Sequence, residues 1–158
     1  SLLEYWQRQR PEGGGMPPRR AMDPLEMKPL LGFLMVLELE RDGFDAIYRL
    51  YGSNLAGNGA GRDWTGFRVS EMCRQMQAPA ALLARACYLA IHRRPAPFFT
   101  MHTPPRRQGV GVWKRLMLPL ADSDGACTRI LVASLPLEQR DLSEAERQAY
   151  EDWVRRTK

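Results

Sequence analysis

The chain has 158 residues, of which 44% are hydrophobic and 26% charged, the length of a single domain that can bury a core without disulfide staples. Four Trp, five Tyr and five Phe exclude general disorder, because disordered chains are poor in aromatics. The net charge of +5 is almost all arginine, set in pairs such as Arg19-Arg20, Arg93-Arg94, Arg106-Arg107 and Arg155-Arg156; helix C-termini and turns attract such cations, so the charge argues against a dedicated nucleic-acid surface.

Residues Leu2 to Arg10 read as a short amphipathic helix whose apolar residues are Leu2, Leu3, Tyr5 and Trp6. The run Glu12 to Pro18 holds three glycines and two prolines and breaks regular structure, so residues 1–22 form a helix and a hinge. Asp23-Pro24-Leu25-Glu26 has a capping residue, a proline suited to the first helical position and a glutamate that can reach back. These predict a short helix to about Leu31.

Phe33 to Glu40 and Phe44 to Tyr51 flank Asp42-Gly43, a strong hairpin marker because both turn residues tolerate positive φ. A two-residue loop pairs Leu39 with Ala46, Leu37 with Tyr48 and Met35 with Leu50, and puts those six on the core face. Glu38, Glu40, Asp45, Ile47, Arg49 and Tyr51 then share the other face, and one extra residue would invert the assignment. From Gly52 to Met76 five glycines allow only short helical turns. Gln77 to Arg93 reads as a long helix lying across a sheet, ended by Pro95.

Three strands follow at Pro97–Thr103, Val112–Leu120 and Ala126–Leu135, the last two joined by a turn at Asp122-Ser123-Asp124-Gly125. Ser143 and Glu146 then open a final helix with a capping box, and Ala149, Tyr150, Trp153 and Val154 form its apolar stripe. The organisation is residues 1–22, a main domain over 23–137 and a C-terminal helix over 138–158. The order of elements describes an α+β fold, a five-stranded antiparallel sheet with helices on one face and flanking helices at both ends.

The longest apolar stretch, Pro29 to Leu39, falls far short of the ~20 residues of a membrane span, and no basic-then-apolar leader precedes it. Cys73, Cys87 and Cys127 are odd in number and widely spaced, which predicts reduced thiols, no zinc site and a cytoplasmic setting.

The element order and several short segments together resemble a PAS domain. More closely, they resemble a small bacterial PAS family in which a tryptophan-bearing helix precedes a basic, proline-rich segment. The matching residues are Tyr5-Trp6, Pro17-Pro18-Arg19-Arg20, Asp23-Pro24, Tyr48 to Ser53, Gly61 to Gly66, and Leu116 to Leu120 with Asp122 to Gly125. Ser53 stands where threonine is common, and Gly57 to Gly61 is richer in glycine than the pattern. The resemblance implies a sensory or regulatory role, a small ligand held between sheet and helices, and a homodimer formed through the sheet's outer face and the flanking helices.

On that reading a small apolar or amphipathic ligand is contacted by Tyr48, Leu50, Trp64, Leu83, His102 and Leu118, with Tyr48 as the polar anchor. The expected interface comprises Tyr5, Trp6, Ile47, Arg49 and Tyr51, because Ile47 and Tyr51 beside Arg49 would otherwise be exposed; a surface ion pair with Glu38 is the plainer role for Arg49. Gly57 to Gly61 follows G-x-G-x-G rather than G-x-G-x-x-G, with no parallel βαβ unit around it, so it reads as a pocket wall and not a phosphate loop. Cys73 lacks the preceding asparagine and the spacing of photosensory flavin domains, which argues against flavin. His92 ends a helix and faces water; His102 is the pocket candidate, and a lone histidine argues against haem. No nucleophile, base and orienter converge, so no enzyme is expected. The alternative to a sensor is a ligand-free dimerisation module.

Overall fold

The computed structural model describes residues 1–42, 45–77, 79–104, 109–139 and 141–156, with backbone only at 59, 60, 139, 150, 153, 154 and 156. Gly43 and Phe44 of the expected hairpin turn, and the side chains of Tyr150, Trp153 and Val154 in the last helix, therefore lie outside the described residues.

The first helix, α1 (Leu2–Arg8), begins with a capping box in which the Ser1 hydroxyl accepts from the Glu4 amide at 3.3 Å. The helix expected from Asp23 to Leu31 does not form. Asp23 caps a turn by accepting from the Leu25 amide at 2.9 Å, and Lys28–Phe33 is a 3₁₀ segment. Pro29 sits inside the expected helix, where it lacks an N–H and its ring obstructs the carbonyl four residues back. Of the residues from Asp23 to Leu31 only Met27 is buried, too little to offset that cost.

The sheet comprises β1 (Leu34–Leu39), β2 (Ala46–Tyr51), β3 (Phe98–His102), β4 (Val110–Ala121) and β5 (Cys127–Gln139), in the order β2-β1-β5-β4-β3. All pairings are antiparallel, as the element order predicts. The hairpin pairs Leu39 with Ala46 and Leu37 with Tyr48, but beyond that Val36 pairs with Leu50 and Met35 with Tyr51. The expected Met35–Leu50 pairing is thus one residue off, because Arg49 is the extra residue of a β-bulge. The bulge leaves Arg49 and Leu50 together on the outer side and turns Tyr51 inward, where its ring meets Tyr48 edge-on at 5.3 Å.

One layer of helices covers the inner face: α2 (Ser53–Leu55), continued by a π turn, then α3 (Val69–Met76) and α4 (Pro79–Arg93). The single helix expected from Gln77 is two elements, since Gln77 closes α3 in the left-handed region at φ 47. The inner side of α4 presents Ala81, Ala84, Cys87, Tyr88 and Ile91, at helical spacing, while Leu82 and Leu83 are exposed.

The outer face has its own cover. Tyr5 and Trp6 of α1, with Met22 and Met27 from the segment that follows, pack on Leu118 and Leu131. The Trp6 indole donates to the Pro119 carbonyl at 2.9 Å, and the Ala121 amide donates to the Pro17 carbonyl at 2.9 Å. At the C-terminus, α5 (Glu144–Arg156) opens on the predicted Ser143–Glu146 capping box. Among the described residues no helix is long and apolar enough to cross a membrane.

Where β2 ends, Gly52 passes against the backbone at Gly32: a Cβ on Gly52 would lie 2.3 Å from the Gly32 carbonyl oxygen. Gly52→Ala should therefore cost about 1–3 kcal/mol of stability through overpacking. Gly57, in the π turn with nothing within 4 Å of an added Cβ, should tolerate alanine with no loss. Urea denaturation of the two variants measures the contrast.

Candidate functional site

Between the sheet and α3–α4 lies a cleft of about 70 Å³. Polar residues reach it from five elements: Tyr48 from β2, Tyr88 from α4, His102 and Arg115 from adjoining strands β3 and β4, and Ser134 from β5, paired with Arg115. The strand alternation sets this arrangement, because Trp113, Arg115 and Met117 share the inner side of β4. Alanines 80, 81 and 84 of α4 line the same cleft, and their small side chains leave the gap that the two tyrosines partly fill.

Tyr48 is buried and its hydroxyl donates to the Met72 sulfur at 3.3 Å. Burial pushes both phenols, Tyr48 and Tyr88, above their ordinary range, so each stays a neutral hydroxyl. His102 Nδ1 and Arg115 Nε are enclosed without a hydrogen-bond partner. Among the described residues no carboxylate lines the cleft. It therefore presents a guanidinium and an imidazole that each keep an enclosed nitrogen unpartnered, and such an atom costs free energy until a partner arrives.

The residues expected at a ligand site divide between the two faces. Tyr48 and His102 line the cleft. Trp64 is fully buried beside Val69, edge-on to Phe67 at 5.6 Å and under the Arg62 guanidinium. Leu83 is 43% exposed on the far side of α4. Leu50 and Leu118 lie on the outer face, the first through the bulge and the second because it alternates with Met117. Arg115, Tyr88 and Ser134 escape the sequence reading, although the alternation from Trp113 to Met117 was a signal that Arg115 faces inward.

Of the expected interface residues, Tyr5 and Trp6 are buried on their own sheet, and Tyr51 packs against the inner core. Ile47 is half-buried, its strand bridged to Arg68. Arg49 makes the expected ion pair with Glu38 at 3.0 Å, and Arg129 shares the same carboxylate at 2.6 Å. Those two guanidinium groups hold Glu38 down at about 2. His92, expected to face water, is half-buried with its Nδ1 enclosed. The Cys73 thiol donates to the Ala81 carbonyl at 3.3 Å and burial raises its pKa, which keeps it a thiol. Among the described residues no group of His, Cys, Asp and Glu could hold a metal ion.

The family described as PAS domain matches residues 1–134. No curated protein matches the chain significantly. A solved structure, an IcIR transcriptional regulator from Alicyclobacillus acidocaldarius, is similar at 9% identity with a TM-score of 0.33, over 85% of this chain and 62% of that one. This chain thus spans less than two thirds of that regulator's length, and so slight a likeness supports no inference about role.

Burial first, and the Arg115 charge second, hold His102 down at about 4. A histidine whose folded pKa is depressed contributes stability that is present above the unfolded value of about 6.5 and is lost as pH falls towards 4. The carboxylates that are also held down, Glu38 and Glu4, act lower still, below about 4.5. The thermal midpoint should fall between pH 6.5 and 4.5, and His102→Asn should flatten that stretch of the profile, as calorimetry across the range would show.

Proposed function

The chain belongs to the PAS domain family, and from that premise we propose that it is a sensory or regulatory module taking a small anion between its sheet and its helices. One observation supports this above the rest: Arg115 reaches a cleft that no carboxylate lines, with its Nε enclosed and unpartnered. A carboxylate seated there would receive the guanidinium fork and the hydroxyls of Ser134 and Tyr48. The cleft volume of about 70 Å³ sets the size at a few heavy atoms, on the scale of acetate. The ligand is read, not transformed.

Binding would bias the seat of α4, which meets the cleft through Ala80, Ala81 and Ala84, against its junction with α3 at Gln77. A ligand shifts such an equilibrium only by its differential affinity for the two positions. The exposed Leu82 and Leu83 ride on the same helix and would carry the change to the surface.

The second reading, a dimerisation module with a filled core, is favoured by a different observation. Strand β3 is an edge of the sheet, and its outer residues Phe99 and Met101 are 49% and 56% exposed. An apolar edge of this kind invites pairing with another copy.

Acetate titration followed by thermal shift tests the first reading. Saturable stabilisation is expected in the native chain and none in Arg115→Met, which should itself be more stable in anion-free buffer by about 1 kcal/mol, since it removes an unpaired charge. A native chain indifferent to acetate and formate sinks the anion site. Sedimentation addresses the second reading: Phe99→Asp with Met101→Asp should turn a dimer into a monomer.

A further inference from the structure

The larger cavity is on the other face of the sheet. It has a volume of about 950 Å³ and runs beneath the segment that links α1 to β1. That size sits within the roughly 300–1,000 Å³ of small-molecule sites. Its floor is the outer side of β1, β2 and β5, with Val36, Leu50 and Leu131, and its wall is Met16, Met22 and Met27 from the overlying segment. Leu31 and Leu50, which both line the groove, are 37% and 38% exposed, so apolar surface remains to be covered.

Four arginines line this apolar groove: Arg19, Arg20, Arg49 and Arg129. The one acidic residue among the described lining, Asp122, is committed to its own turn, where it accepts from the Asp124 and Ala126 amides at 2.9 and 3.0 Å. Glu38 serves Arg49 and Arg129. The guanidinium groups of Arg19 and Arg20 are exposed and make no ion pair among the described residues. The groove is greasy along its length and cationic at its rim.

We propose that this groove binds a single-chain amphipathic carboxylate, a free fatty acid, with its chain along the sheet and its head on Arg19 and Arg20. Three features select that chemistry. Among the described residues the lining holds no aromatic ring, which leaves a nucleotide base nothing to stack on. The floor strand β1 has both edges paired, to β2 and to β5, so a peptide laid on this face would find no backbone partners, whereas an acyl chain needs none. Planar guanidinium forks match a carboxylate, and flexible methionines adapt to a chain of variable bends.

The overlying segment is positioned to respond to such an occupant. It is tied at one end by Trp6 on Pro119 and in the middle by Pro17 on Ala121. Between these ties Arg10 Nε closes a loop on the Gly15 carbonyl at 2.7 Å, and Gly14 and Gly15 both adopt positive φ. The site is separate from the inner cleft and stands whether or not that cleft takes an anion.

Isothermal titration of the delipidated full chain with dodecanoate, below its micelle concentration, tests the proposal. Saturable binding is expected, with dodecanol at least tenfold weaker. Arg19→Gln with Arg20→Gln, both exposed, should weaken dodecanoate at least tenfold, and Leu50→Glu should do the same from the floor. Arg115→Met should leave the affinity unchanged, which separates this site from the inner one. Absence of saturable binding, equal affinity for dodecanol, or an unaffected arginine variant overturns it. So does retention on phosphatidylglycerol vesicles by a chain that ignores free dodecanoate, which would make the occupant a membrane surface.

Discussion

A sheet that is apolar on both faces must be covered on both, and most of this molecule follows from that requirement. Met35, Leu37, Met117, Ile130 and Val132 face inward while Leu34, Leu118, Leu120 and Leu131 face outward. Strands buried on two sides read as near-continuous hydrophobic runs. Leu116 to Leu120 and Ile130 to Val132 do so. The helices α3 and α4 satisfy the inner side. On the outer side the chain uses its own first 33 residues, because no other described element packs there.

The two covers fit differently, and that difference creates the two cavities. Helix α4 meets the inner face through Ala81, Ala84, Cys87, Tyr88 and Ile91 and leaves little space. The N-terminal segment contains Pro11, Pro17, Pro18, Pro24 and Pro29, so it cannot lie down as one helix. It touches the sheet at a few ties and bridges the remainder, which leaves a long trough. Charge follows the same division: one arginine reaches the inner cleft, and the rest of the lining arginines gather around the trough.

Much of the architecture was legible in residue order. The five strands, the capping box at Ser143 and the Leu39–Ala46 end of the hairpin all follow from local rules that act within a few residues. The bulge at Arg49 was not legible, since nothing in Arg49 itself distinguishes an extra residue from a paired one. That single offset misplaced both Leu50 and Tyr51. Leu118 reads as a pocket residue by its apolar character, but a sheet with two buried faces offers an apolar residue two destinations; Trp64 is on the inner side but is used up in packing against Phe67. Arg115 was passed over because an arginine in a strand ordinarily signals solvent, even though its neighbours two positions away are Trp113 and Met117.

The bulge has a consequence for how this family can vary. Leu50 and Tyr51 are joined by one peptide bond, yet one contributes to the trough and the other to the inner core. Removal of Arg49 alone would close the bulge and keep Val36 opposite Leu50 and Met35 opposite Tyr51, so both side chains would hold their destinations. Removal of any other single residue between Tyr48 and Tyr51 would instead disturb a side chain that one of the two faces uses. In a set of related sequences, then, a one-residue gap inside β2 should fall at position 49, the place where length can change without inverting the strand.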